Sequence, residues 1–128
     1  MSSILFESHS GIARITFNRP DKLNSFNREM ALQMQAVLKE CEAAEVRSVY
    51  ITGAGKAFCS GQDLKAIAGV KRSFIDSLHK RYNPIIREMR NMPKPIICKL
   101  NGVAAGAGCS LALASDFIVA SENASLIE

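Results

Sequence analysis

The chain has only two histidines and four cysteines in 128 residues, and no two cysteines stand in CxxC spacing. Zinc frameworks built on such pairs are therefore not expected. Cys41, Cys98 and Cys109 sit among apolar or small residues, as reduced buried cysteines do. That usage predicts a cytoplasmic protein. No run of five like charges occurs. The net charge of +4 is scattered, which argues against a nucleic-acid surface. No apolar run reaches membrane-spanning length, and Lys99 interrupts the best candidate. Met1 to Ser10 lacks the basic and apolar regions of a secretory signal, so none is read there. Repeats and low-complexity segments are absent too.

What remains is an ordinary globular composition, 48% apolar and 22% charged, on a chain long enough to bury a core. Ile4 to Glu7 and Ile12 to Phe17 alternate apolar and polar residues and predict a β-hairpin. Arg19-Pro20-Asp21-Lys22 ends the second strand. Asn27 or Ser25 caps a helix running to about Glu45, with Met30, Met34, Val37, Leu38 and Cys41 on its apolar face. Val46 to Thr52 reads as a buried strand. Ser73 to Met92 reads as a helix with Phe74, Leu78, Tyr82, Ile85, Ile86 and Met89 inward, kinked or divided at Pro84. Pro93-Lys94-Pro95 forces an extended entry into the strand Ile96 to Leu100. Ser115-Asp116 turns the chain into a short strand, Phe117 to Ala120. Strands separated by helical stretches predict an α/β fold with parallel strands.

Two glycine-rich loops carry the candidate chemistry. Gly106-Ala107-Gly108-Cys109-Ser110 leads from a strand into the apolar run Leu111 to Ala114. Such a helix start offers unpaired N–H groups at the positive end of the helix dipole. It suits an anion or a developing oxyanion, or it is a tight strand-to-helix packing turn. Gly53-Ala54-Gly55-Lys56-Ala57-Phe58-Cys59-Ser60-Gly61-Gln62-Asp63-Leu64 is the second, with Asp63 placed to open a helix. Two such units could direct two N–H donors at one thioester carbonyl oxygen.

Three better-known motifs fail. A Walker A loop at Gly53-Ala54-Gly55-Lys56 needs glycine at position 50 and Ser or Thr at 57, where Tyr50 and Ala57 stand. A dinucleotide fingerprint at Gly106-Ala107-Gly108 meets Leu111 in its third glycine place. Gly108-Cys109-Ser110-Leu111-Ala112 falls one residue short of a nucleophile elbow, and no histidine follows it.

The chain resembles the crotonase family, the enoyl-CoA hydratase/isomerase superfamily. The residues that carry the resemblance are Asn18-Arg19-Pro20 with Leu23-Asn24, Ala57 to Leu64, and Pro93-Lys94-Pro95-Ile96-Ile97. They continue with Asn101-Gly102-Val103-Ala104-Ala105-Gly106-Ala107-Gly108 and Ala114-Ser115-Asp116. The resemblance implies a spiral of ββα repeats. A domain of that family is about twice this length, so residues 1–128 are expected to be its N-terminal part.

The ligand so implied is an acyl-coenzyme A thioester, with coenzyme A entering as part of the substrate and no tightly bound cofactor or metal. The implied oxyanion hole is the backbone N–H of Gln62 and of Ala107. Ala57, Phe58, Ser60, Gly61, Asp63, Leu64 and Gly106 would line the ligand, and Lys22 and Lys65 are candidates for its phosphates. Ser110 stands where hydratases carry a glutamate, and the second hydratase glutamate would fall about two residues beyond Glu128. Serine has no useful acid–base pKa without a partner. The expectation is therefore an acyl-CoA isomerase, nearest the ring-epoxide phenylacetyl-CoA isomerases, whose acid–base aspartate lies further along. The alternatives are a hydratase or hydrolase of the same family, or a non-catalytic acyl-CoA-binding module. Asp63 reads as a helix cap and Asp116 as a turn residue. The family resemblance also implies a homotrimer or dimer of trimers, without nucleic-acid or membrane partners.

Overall fold

The computed structural model describes residues 2–62 and 72–127, with the backbone alone for 72–81. β1 (Ile4–His9) and β2 (Ile12–Phe17) form the expected antiparallel hairpin across a two-residue turn, Ser10-Gly11. A short 3-10 turn, Pro20–Lys22, follows. It leads to α1 (Arg28–Glu40), capped by Asn27, whose side chain accepts from the Met30 N–H at 2.9 Å. α1 stops before the expected Glu45. Lys94 Nζ donates to the Cys41 and Ala43 carbonyls just past its end, at 2.5 and 2.8 Å, satisfying oxygens that a longer helix would have used itself.

β3 (Ser48–Gly53) pairs in parallel with β2, β5 (Ile96–Leu100) with β3, and β7 (Phe117–Ala120) with β5. The order β1-β2-β3-β5-β7 makes one five-stranded sheet. β4 (Ala57–Cys59), β6 (Val103–Ala105) and β8 (Ser125–Ile127) form a second, three-stranded parallel sheet. This sheet was not foreseen: the glycine-rich stretches holding β4 and β6 read as loops. Each strand is three residues long, too short for a period to show.

α2 (Arg72–Asn91) runs through Pro84 as one helix rather than two. Tyr82, Ile85 and Met89 are buried on both sides of the proline, and this packing offsets the lost backbone bond. The core joins Ala13, Ile15 and Phe17 of β2, Val49 and Ile51 of β3, and Ile96 and Cys98 of β5 to Met30, Met34 and Leu38 of α1. α3 (Ala107–Leu113) starts four residues earlier than the apolar run Leu111 to Ala114 suggested. Residues 107–110 are therefore its first turn, not a loop. Asp116 is a turn residue as expected: its Oδ2 accepts from the Ile96 N–H at 2.8 Å, and its own N–H donates to the Ile96 carbonyl at 2.9 Å.

Candidate active site

The two glycine-rich arms meet at one cleft of about 890 Å³, which Ser60, Gly61, Gln62, Gly106, Ala107 and Ser110 border together. The first arm leaves β4 through Ser60 and Gly61. Its backbone is tied to the segment before α1: the Ser60 N–H donates to the Leu23 carbonyl at 3.0 Å, and the Phe26 N–H to the Gly61 carbonyl at 2.7 Å. Gln62 lies in a parallel bridge with Phe26. Gly61 has φ +107, and a Cβ there would lie 3.0 Å from the Ala105 carbonyl oxygen and 3.6 Å from the Ala107 nitrogen. Glycine at this position lets the two arms touch.

The second arm is the turn from β6 into α3. Gly106 is the N-cap with φ +53, and a Cβ added there would meet nothing within 4 Å. Its N–H donates to the Ile127 carbonyl at 3.0 Å. Ala107 is the first residue of the helix, so its N–H has no acceptor inside α3. Gly108 packs straight onto β4: a Cβ there would fall 2.1 Å from the Cys59 carbonyl oxygen. No side chain fits between α3 and that strand.

Two asparagines of the resemblance explain themselves as clamps. Asn24 is fully buried; its Nδ2 donates to the Ala54 and Ala57 carbonyls, both at 2.9 Å, and its Oδ1 accepts from the Arg19 N–H at 2.8 Å. Asn101 Nδ2 reaches the same Ala57 carbonyl at 3.0 Å and that of Gly55 at 3.1 Å, while its Oδ1 accepts from the Gly53 N–H at 3.1 Å. Together they fix the bend between β3 and β4, and hence the direction in which Ser60-Gly61-Gln62 leaves.

The remaining expected ligand contacts divide. Ala57 and Phe58 are buried, with the Phe58 ring 5.2 Å from that of Phe17, and neither borders the cleft. Lys22 is exposed on the 3-10 turn and is not among the cleft's residues. Asp63, Leu64 and Lys65 lie outside the described residues, as does Glu128. Residue-level reading missed one wall of the cleft, which α2 supplies. Tyr82 was assigned to the core alone, yet its hydroxyl also donates to the Ala107 carbonyl. Its ring packs edge-on to Phe26 at 5.7 Å. It therefore links the second arm to the segment that holds the first. Arg87 and Arg90 also border the cleft. Their signal was the helical stripe 83, 86, 87, 90, complementary to the buried one.

Among the described residues the cleft has no carboxylate or imidazole. Its hydroxyls belong to Ser60, half-buried, Ser110, exposed, and Tyr82, whose pKa burial drives far up. Tyr82 thus keeps its proton at neutral pH and is no base. Cys59 is likewise pushed by burial from 9.0 to about 12, against a smaller lowering by its contact with the Gly61 backbone. The described groups can therefore polarise a carbonyl through N–H donors, while none of them is set up to move a proton. No three His, Cys, Asp or Glu side chains among the described residues cluster as a metal site. No described helix is long and apolar enough to cross a membrane.

This architecture, a mixed five-stranded sheet and a parallel three-stranded one with a glycine-lined cleft, is that of the crotonase fold. The crystal structure of an enoyl-CoA hydratase from Bacillus anthracis superposes with a TM-score of 0.94 at 34% identity, covering 98% of this chain and 50% of that one. An enoyl-CoA hydratase from Mycobacterium smegmatis gives 0.93 at 29% identity, with the same coverage of each. Residues 7–128 match the family model described as enoyl-CoA hydratase/isomerase, and the chain belongs to that family. It is 42% identical to the 1,2-epoxyphenylacetyl-CoA isomerase of Escherichia coli K12, over 99% of its own length and 50% of that protein's. The chain thus spans about half the length of the relatives it matches.

Proposed function

We propose that the chain is the N-terminal part of a crotonase-like domain acting as an acyl-CoA isomerase, with the Gln62 and Ala107 N–H groups as donors to the thioester carbonyl. The observation that carries this reading is the meeting of both arms at one cleft whose described residues offer no carboxylate. An enolised thioester places its new charge on the carbonyl oxygen, where two fixed donors stabilise it by a few kcal/mol each. Ser110 supports isomerisation over two-carboxylate hydration, because the glutamate that hydration requires at this position is missing. The 42% identical relative named an isomerase points the same way. The acid–base group, the trimeric assembly and the cytoplasmic location of the whole protein belong to this proposal too. A hydratase or hydrolase remains the second reading, since both solved structures named above are called hydratases.

Ala107→Pro tests the donor. Proline suits the first position of a helix and removes only its N–H. In the whole protein that carries this chain, turnover is expected to fall about 10²- to 10³-fold with the circular dichroism melt retained. Undiminished turnover by a folded variant removes Ala107 from the oxyanion hole. Ser110→Glu separates the two reactions. It is expected to lower turnover of a ring-bearing acyl-CoA without creating crotonyl-CoA hydration, and a gain of hydration with no loss of isomerisation would defeat the isomerase reading.

A further inference from the structure

We infer that Arg87 and Arg90 form a cationic wall that receives a carboxylate carried by the acyl group of the ligand; this rests on the acyl-thioester reading above. α2 presents Asn83, Ile86, Arg87 and Arg90 to the cleft. Their spacing of three, one and three residues places them on one helix face. Ile85 and Met89 are buried on the other, so core packing fixes the direction of the arginine stripe.

Among the described residues neither guanidinium has a counterion within 4.0 Å. The ion pair among them is Arg14 with Glu7, at 3.8 Å, far along the chain. Arg87 also borders a smaller hollow with Glu42 and Glu88 but forms no ion pair with either. Burial and then Glu42 raise the Glu88 pKa, and Lys39 lowers it. Two like charges three residues apart on a helix repel each other. In a cleft whose described lining has no acid, an anion relieves that repulsion. The guanidinium fork matches a carboxylate with two parallel N–H···O bonds.

A carboxylate on the acyl group and the phosphates of coenzyme A share this chemistry. The cleft favours the first. Ser110, which the family resemblance sets on the acyl side, borders the same cleft as the arginines, while Lys22, one of the two phosphate candidates, does not; Lys65, the other, lies outside the described residues. The wall serves this recognition whichever reaction follows.

Calorimetric titration of the whole protein that carries this chain with glutaryl-CoA, butyryl-CoA and free coenzyme A tests the inference. Glutaryl-CoA is expected to bind about tenfold more tightly than butyryl-CoA, a preference that shrinks in high salt. Arg87→Gln and Arg90→Gln are each expected to weaken glutaryl-CoA roughly three- to thirtyfold. Butyryl-CoA and free coenzyme A should stay within about twofold. Glutamine keeps the helix propensity of these exposed positions. The comparison of the two thioesters needs no variant at all, so a folding defect cannot obscure it. Equal affinity for the two thioesters overturns the wall while leaving the acyl-CoA reading intact. An equal loss on free coenzyme A shows that the arginines read phosphates and overturns it as well. Binding of none of the three brings down the acyl-CoA reading and this inference together.

Discussion

The two arms of the cleft are held in place by opposite means. The β4 arm hangs on side chains: Asn24 and Asn101 converge on one carbonyl, that of Ala57, and the Phe58 ring anchors it in the core. The β6–α3 arm is held by having almost none. Gly102 and Gly108 let backbone press on backbone, and a Cβ at either would fall 1.9 Å from the Lys56 oxygen or 2.1 Å from that of Cys59. One arm is specified by hydrogen bonds that must be present, the other by atoms that must be absent. The first should fail when atoms are removed and the second when they are added.

Gly108→Ala is the harshest test of that contrast. The new methyl meets backbone rather than the end of a flexible side chain, so neither partner can rotate away. A destabilisation of about 3 kcal/mol or more is expected in urea unfolding. In most helices the same change is mildly stabilising. A midpoint equal to that of the parent would mean that α3 does not sit on β4 as described.

Asn24→Ala should cost somewhat less, about 2–4 kcal/mol. It strands the Arg19 N–H and removes a donor from each of two carbonyls in a fully buried place. Asn101→Ala should cost about half of that, because this side chain is only half-buried. The Ala57 carbonyl accepts from both, so the double variant should not be additive. A double-mutant cycle with no coupling would show that the two asparagines act on separate parts of the bend.

The same contrast separates what the sequence disclosed from what it hid. The helices, the hairpin and the long strands carried apolar periods of two or 3.6 and were legible. A cap at Asn27 or Ser25, Asp116 as turn residue and the strand after Pro93-Lys94-Pro95 followed from local chemistry, and the structure selects Asn27. The three-stranded sheet did not, because β4 and β6 are three-residue strands embedded in glycine and alanine. Their pairing is set by backbone approach, which leaves no pattern in a single sequence. The same holds for α3, whose first turn consists of alanine, glycine, cysteine and serine. β7 is a different case. The strand expected at Phe117 to Ala120 is there, placed by backbone bonds to β5, yet Phe117 and Val119 are each 62% exposed. Pairing and burial are separate properties of a strand, and the pattern reported only the first. For the cleft, the two arms were legible as motifs. The α2 wall was not, since arginines on an exposed helix stripe look like any solvated face.

Tyr82 ties the β6–α3 arm to Phe26, whose N–H holds the β4 arm at Gly61, and Tyr82→Phe gives the mildest and most selective test. The variant keeps the ring against Phe26 and removes only the hydroxyl that donates to the Ala107 carbonyl. The expected cost is about 1 kcal/mol, from one buried hydrogen bond. Its location can be read through Cys59, which is buried under Gly108. Burial holds the Cys59 thiol protonated up to about pH 12 instead of its ordinary 9.0. A thiol reagent at pH 8 should therefore react only after local opening, when the thiol returns to its ordinary range. The sign follows from the raised value. Burial of this thiol favours the folded form fully below pH 9 and loses that advantage as pH rises toward 12. Tyr82→Phe is expected to raise Cys59 labelling at pH 8 about fivefold, the factor that 1 kcal/mol of local opening confers. Cys41, which lies at the end of α1, should keep its slow rate. Equal acceleration at Cys41 and Cys59 would mean that the hydroxyl stabilises the whole fold rather than the junction of the arms. No acceleration at either would show that the Ala107 carbonyl does not depend on Tyr82.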